Sequence, residues 1–198
     1  SRQGAIAKAR LWAIERSDDG QSIGKAKLQT TFQEHGGPIW SVALAHDLAV
    51  TASDDGTARV WYLQNASARS LATLKHPMWV CSVSIAEDDA YCATGCGDGK
   101  IRLWSLRAGL TTTQYQCLRT FDHCDSQSGT YPLRVRWLHF GALVSSGMDD
   151  NVKLWSLNTD GEATNVATLP HGDNVRGLTV SASGIVASAG GSKSKSVI

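Results

Sequence analysis

Four of the seven tryptophans in this 198-residue chain stand at near-regular intervals: Trp12, Trp61, Trp104 and Trp155 are 49, 43 and 51 residues apart. Three of them close long matching segments, TASDDGTARVWYL from Thr51, TGCGDGKIRLWSL from Thr94 and SSGMDDNVKLWSL from Ser145; a weaker copy, AKARLWAI, begins at Ala7. A period of roughly 40–50 residues marks one supersecondary unit copied along a chain, each copy burying its apolar face against the next. That constraint leaves little room for an ordinary single-core domain.

Other positions keep step with the tryptophans. An Asp stands six residues before the Trp in the three full copies (Asp55, Asp98 and Asp149), and a hydroxyl four residues before that Asp (Thr51, Thr94 and Ser145). The position two before the Asp drifts through Ser53, Cys96 and Gly147. A histidine precedes each copy, His35, His76 and His123, and His171 opens one more. Apolar residues follow four and seven positions after His35, His76 and His171, opening a short alternating strand.

The stretch GCGDGK at residues 95–100 has the look of a phosphate-cradling loop. Such a loop opens a helix, whereas KIRLWSL is a strand pattern. Gly97-Asp98-Gly99 also aligns with Asp54-Asp55-Gly56 of the preceding copy, so a hairpin turn is predicted at both. The acid pairs Asp54-Asp55 and Asp149-Asp150 belong to the same turns and need no catalytic explanation.

Each unit therefore reads as four short strands, near 38–45, 47–53, 57–63 and 70–74 in the first full unit, with equivalents at 79–121 and 132–169. Residues 1–33 hold the last two strands of a preceding unit; the units then occupy 34–75, 76–122 and 123–170, and 171–198 begins a truncated one, stopping within its third strand.

These recurring His, hydroxyl, Asp and Trp positions resemble the Trp-Asp (WD) repeat family of β-propellers over nearly the whole chain. The resemblance implies an all-β propeller of four-stranded antiparallel blades, about four present, three complete and partial ones at both ends. Departures are clear. The Asp after Trp is replaced by Ala13, Tyr62, Ser105 and Ser156, the Gly before His by Glu34, Lys75, Asp122 and Pro170, and Ser192 stands where the last unit's turn Asp belongs.

The resemblance further implies a buried tetrad in each complete blade, with Trp donating to the hydroxyl, the hydroxyl to His and His to Asp. The sets are His35, Thr51, Asp55 and Trp61; His76, Thr94, Asp98 and Trp104; and His123, Ser145, Asp149 and Trp155. Indole only donates, carboxylate only accepts, and hydroxyl and imidazole do both, so the order is chemically sensible. A hydrolase triad has the same residue types, but an active site does not require several copies. Basic residues recur two places before each Trp, at Arg10, Arg59, Arg102 and Lys153. They are expected to lay their stems over apolar neighbours with the heads in water, rather than to form a nucleic-acid stripe.

Bulk properties agree. The net charge is +1 and 42% of residues are hydrophobic, which gives no electrostatic reason to expect nucleic acid or anionic membrane. No run of about 18 apolar residues occurs, and SRQGAIAKAR lacks the apolar stretch of a secretory leader. Five cysteines in strand-like segments suggest reduced thiols and a cytoplasmic or nuclear setting. Cys92 and Cys96 are about 13 Å apart along a strand at about 3.3 Å per residue, too far to share one ion. No metal or cofactor is expected.

In this family, partners commonly dock on the face that carries the His loops and the turns between second and third strands. Two positions per blade are expected to look outward there: five after the His (Trp40, Cys81 and Arg176, with Leu133 or Arg134 in the third unit) and just before the turn Asp (Asp54, Gly97 and Met148). Trp40, Asp54, Met148, Arg134 and Arg176 are the candidate partner-binding residues, with burial of Trp40 between blades as its alternative. The leading expectation is a non-catalytic scaffold that binds one or more proteins in a multi-subunit complex. The alternatives are a ubiquitin-ligase substrate receptor reading phosphate, a nucleic-acid or RNP adaptor, and, last, an enzyme built on a propeller.

Overall fold

A computed structural model describes residues 7–17, 23–64, 67–107, 115–124, 129–138, 141–157 and 162–191. The described residues form sixteen strands in five antiparallel sheets. Three sheets have four strands each in simple meander order. They are β3 (Ile39–Ala45), β4 (Leu48–Ser53), β5 (Thr57–Gln64) and β6 (Ser67–Lys75); β7 (Val80–Ile85), β8 (Tyr91–Cys96), β9 (Lys100–Ser105) and β10 (Cys117–Asp122); and β11 (Pro132–Trp137), β12 (Ala142–Gly147), β13 (Asn151–Leu157) and β14 (Ala163–Pro170). Two-stranded sheets flank them, β1 (Ala9–Arg16) with β2 (Ile23–Phe32) and β15 (Asn174–Val180) with β16 (Val186–Gly191). The expected third strand of the last unit falls at residues outside those described.

This is the blade architecture of a β-propeller. The four strands of a blade, from inner to outer, are a, b, c and d. Inner strands β3, β7, β11 and β15 lie beside one another in succession. Apolar side chains fill the space between sheets rather than one central core. Val50, Val60 and Leu74 meet Val83, Cys92 and Trp104 in the first gap. Ala93, Ile101 and Leu103 meet Val135, Leu143 and Trp155 in the next, and Val144 and Val152 meet Val175 and Leu178 in the third. Burying one such Val or Leu contributes about 1.5–3 kcal/mol. Serines add cross-blade bonds: Val135 N–H donates to Ser82 Oγ at 3.1 Å, and Trp137 N–H to Ser84 Oγ at 3.1 Å.

Local chemistry sets the register. The predicted b–c hairpin turns place Gly56, Gly99 and Asp150 at positive φ, 78°, 84° and 61°. Glycine adopts that region without strain, and Asp is among the few others that tolerate it. The preceding Asp braces each turn by accepting from the backbone N–H two residues on, at 2.9 Å for Asp55, 3.2 Å for Asp98 and 3.4 Å for Asp149. Pairing between strands c and d is irregular at the Trp in every complete blade. The break lies between Val60 and Trp61, between Leu154 and Trp155, and opposite Leu103–Trp104 between Cys117 and Arg119. A bulge there bends the strand and re-aims the indole.

Candidate functional site

The recurring polar residues meet inside the blades. In the first full blade Trp61 Nε1 donates to Thr51 Oγ1 at 2.9 Å, Thr51 Oγ1 lies 2.7 Å from His35 Nε2, and His35 Nδ1 lies 2.9 Å from Asp55 Oδ2. In the third, Trp155 Nε1 donates to Ser145 Oγ at 2.7 Å, His123 Nδ1 lies 2.7 Å from that oxygen, and His123 Nε2 lies 3.2 Å from Asp149 Oδ1. The hydroxyl-bearing residues Thr51, Thr94 and Ser145 are fully buried. They face an indole and an imidazole, not a cleft.

The second blade departs from the expected chain. Trp104 Nε1 donates to Thr94 Oγ1 at 2.9 Å and His76 Nε2 sits 2.8 Å from the same oxygen, but His76 Nδ1 turns to Leu74 O at 3.0 Å. The expected His76–Asp98 bond is absent. Asp98 instead takes a two-pronged contact from Arg102, 3.1 Å to Oδ1 and 2.5 Å to Oδ2. A fork to a carboxylate outcompetes a single neutral imidazole bond. Of the basic residues expected to reach water, Arg10 is exposed, but the other three are corrected. Arg59 pairs with Glu34 at 2.6 Å, Arg102 with Asp98, and Lys153 with Asp149 at 3.0 Å and with His123 O, their side chains only 20%, 12% and 16% exposed.

Titration follows the contacts. Burial alone would raise Asp55, but hydrogen bonds from Thr57, His35 and Gly36 N–H outweigh it and hold the carboxyl at about 2. Asp149 is likewise held low by His123 and Lys153 against burial, and Asp98 by Arg102. His76 is pushed down to about 4 by burial and then by the Arg102 charge. Burial raises the thiols of Cys81 to about 12 and of Cys96 and Cys124 to about 11. All five cysteines are unpaired. Ligand atoms of His123, Cys124 and Asp149 lie within 4.8 Å of one another, but the Lys153 ammonium already occupies the carboxylate there.

The end of the molecule formed by the His loops and b–c turns carries the outward candidates. Trp40 is 57% exposed, not buried between blades, and its Nε1 donates to Asp54 Oδ1 at 3.2 Å. Arg176 is exposed and Met148 half-buried. Arg134 is half-buried, with its guanidinium donating to Leu133 O at 2.7 Å. Cys81, expected to look outward, is 7% exposed. Trp79 covers this part of the face: a Cβ on Gly97 would stand 2.3 Å from its ring. Trp79 also meets Tyr131 edge-on at 5.7 Å, and Met78 beside it is 37% exposed. The sequence signal for this aromatic group was weak, because no other copy carries a Trp at the corresponding place; Pro38 stands there in the first blade.

Repeat, blade and tetrad together define a class, and the family model described as WD domain, G-beta repeat matches residues 26–62, 68–105 and 115–156. The chain belongs to the WD40 repeat family. Each matched repeat begins at or near an outer strand and runs into the following blade, so repeats tie adjacent blades together. The chain is similar to the serine-threonine kinase receptor-associated protein of Gallus gallus, 31% identical over 78% of this chain and 40% of that protein. It is also similar to Protein SPA1-RELATED 3 of Arabidopsis thaliana, 28% identical over 74% of this chain and 17% of that protein. A coronin-like protein of Saccharomyces cerevisiae matches at 30% over 46% of this chain and 14% of its own length. The chain thus spans less than half the length of these relatives. Proteins of this repeat family generally act as protein-interaction scaffolds.

Proposed function

We propose that this chain is a non-catalytic scaffold whose His-loop face, with Trp40, Asp54, Met148, Arg134 and Arg176, binds a segment of a partner protein within a larger assembly. The observation that carries this is Trp40, a large indole standing out at 57% exposure with its N–H tied to Asp54. A restrained, exposed indole is the type of anchor from which interfaces draw most of their energy. The neighbouring Trp79–Tyr131 pair and Met78 extend the aromatic and adaptable surface across the next blade. The enzyme alternative is disfavoured because the repeated hydroxyl and histidine of each complete blade are engaged inside that blade. Phosphate reading is disfavoured because the Arg134 guanidinium is turned to a backbone carbonyl. One similar protein carries in its name an association with a receptor kinase, which fits a protein ligand. The proposed setting is the cytoplasm or nucleus, where buried thiols stay reduced.

The test is capture from lysate followed by titration of the identified partner. Trp40→Ala and Arg176→Ala are expected to weaken its binding at least tenfold at unchanged melting temperature. His46→Ala, in the a–b turn at the opposite end, should bind as the parent does. Full affinity in both face variants removes this surface from consideration.

A further inference from the structure

The charged side chains of the four inner strands are all arginines. Arg134 and Arg136 stand on β11 and Arg176 on β15, while β3 and β7 carry no charge and no Asp or Glu lies on any of the four. β11 runs between β7 and β15, so inner strands flank this stretch of the wall on both sides. The two β11 arginines replace hydroxyls that join inner strands elsewhere. Ser41 accepts from Val83 N–H at 3.3 Å, Ser82 from Val135 N–H at 3.1 Å and Ser84 from Trp137 N–H at 3.1 Å, so a serine on one inner strand meets a backbone donor of the next. By strand register Arg134 holds the place of Ser41 and Ser82, and Arg136 that of Ser84. A guanidinium only donates, so the arginines cannot do this for β15.

They line the inner edge instead. Val135 N–H is met by Ser82 of β7 and not by β12. In an antiparallel strand the N–H and C=O of one residue point to the same side, so Val135 O also faces away from β12. Arg136 Nη1 donates to that carbonyl at 2.8 Å, and Arg134 Nη1 to Leu133 O at 2.7 Å. The Cys81 thiol, raised first by burial, feels the charges of both Arg134 and Asp54, which places Arg134 toward the His-loop end with Arg136 deeper along the strand. Neither charge is answered: among the described residues no carboxylate lies within ion-pair distance of Arg134 or Arg136, whereas Arg59, Arg102 and Lys153 each have one. Both are half-buried. Burial, and then the Arg134 charge, press Arg136 below its ordinary value, so two like charges act on each other there. Charges withdrawn from water without a partner are costly until a counter-charge arrives.

We infer that the inner wall at β11 binds an extended acidic peptide segment, two alternate carboxylates of which take the guanidinium forks of Arg134 and Arg136. Each guanidinium spends an Nη1 donor on a carbonyl and keeps its Nε–Nη2 edge, a pair of parallel donors that matches the two oxygens of a carboxylate. The arginines stand on alternate residues of one strand, about 6.7 Å apart at about 3.3 Å per residue, and alternate side chains of an extended peptide share that spacing. Arg176, exposed near the start of β15, adds positive charge at the His-loop end, where such a segment enters. The inference rests on the reading of that face as a partner-binding face, and it names the chemistry of the segment that reaches inward from it.

The experiment is fluorescence anisotropy of the full chain with labelled glycine-rich octapeptides carrying two glutamates, on alternate residues in one peptide and on adjacent residues in the other, at fixed low ionic strength. The alternate peptide should bind at least threefold more tightly than the adjacent one. Arg134→Gln and Arg136→Gln should each weaken it at least tenfold, whereas Arg69→Gln, exposed on the outer strand β6, should bind as the parent does. Should Arg136→Gln fail to fold, Arg136→Lys keeps the charge without the fork and should still weaken binding. Parent affinity in the folded Arg136 variant, or equal binding of the two peptides, overturns the proposal. So does displacement by inorganic phosphate at concentrations where glutarate displaces nothing, since the ligand would then be free phosphate. Trp40→Ala should leave peptide binding unchanged, so loss of the Trp40 surface and loss of the arginine site are told apart.

Discussion

The first and second complete blades carry the same four polar residues at the same places, yet they are wired differently. In the first, His35 reaches Asp55 and Arg59 reaches Glu34; in the second, Arg102 takes Asp98 and His76 turns to the Leu74 carbonyl. The residue just before the histidine accounts for this. Glu34 gives Arg59 a carboxylate of its own, leaving Asp55 for the histidine. Lys75 stands at the corresponding place and offers Arg102 nothing, so the arginine takes the turn Asp instead. The third blade is intermediate: Asp122 in that place pairs with Lys100, and Lys153 shares Asp149 with His123. A repeat motif thus fixes which residues meet, while a single neighbour outside it fixes which bonds form.

The largest consequence should appear on removing the turn carboxylates. Asp98→Ala leaves the Arg102 guanidinium, 12% exposed, without a counter-charge. An orphaned, largely buried charge costs about 3 kcal/mol. Asp55→Ala removes the acceptor shared by His35, the Gly36 N–H and Thr57, and is expected to cost about 2 kcal/mol. Urea unfolding of both variants checks the order. Double-mutant cycles sharpen it: Asp98 should couple to Arg102 and not to His76, and Asp55 to His35 and not to Arg59. A strong Asp98–His76 coupling would mean that the two blades are wired alike after all.

The second consequence is in pH. His76 is held at about 4 against an ordinary value of 6.5, so the unfolded chain binds its proton more readily than the folded one. Its contribution to stability is complete above about 6.5, falls as pH drops toward 4, and changes no further below that. Asp55 is held at about 2 against 3.8, so its contribution is lost only between those values. His123, also depressed by burial, adds to the first window. Melting temperature should therefore fall in two steps on acidification. His76→Gln, which keeps a donor for Thr94, should shrink the upper step and leave the lower one unchanged. An upper step of undiminished size in that variant would show that the second blade's histidine does not titrate as its surroundings require.

Much of this was legible in the residues themselves. The Trp, hydroxyl, His and Asp positions recur, and recurrence separates a structural brace from a single reactive centre. The turns were legible because Gly56 and Gly99 supply a backbone conformation that few residues accept. What stayed hidden depended on one blade's neighbours. Cys81 and Trp40 occupy equivalent places, but Trp79 covers that part of the face in the second blade and only Pro38 stands there in the first, so one is buried and the other exposed. The fate of Arg102 was hidden for the same reason: it depends on Lys75, a position that the repeat leaves free.

Restoring that position gives the finest test. Lys75→Glu places in the second blade the acid that Glu34 supplies in the first. Arg102 should move to it, as Arg59 does, and Asp98 should become available to His76 Nδ1. The effect on stability should be smaller than that of Asp98→Ala, because Arg102 exchanges one carboxylate partner for another and stays paired. The effect on His76 should be plain. Losing the Arg102 charge and gaining a carboxylate both favour the imidazolium, so its midpoint should rise from about 4 toward the ordinary histidine value. The imidazole proton resonances followed by NMR against pH report this directly. An unchanged midpoint would show that burial alone holds His76 down, and that the residue before the histidine does not choose the wiring of a blade.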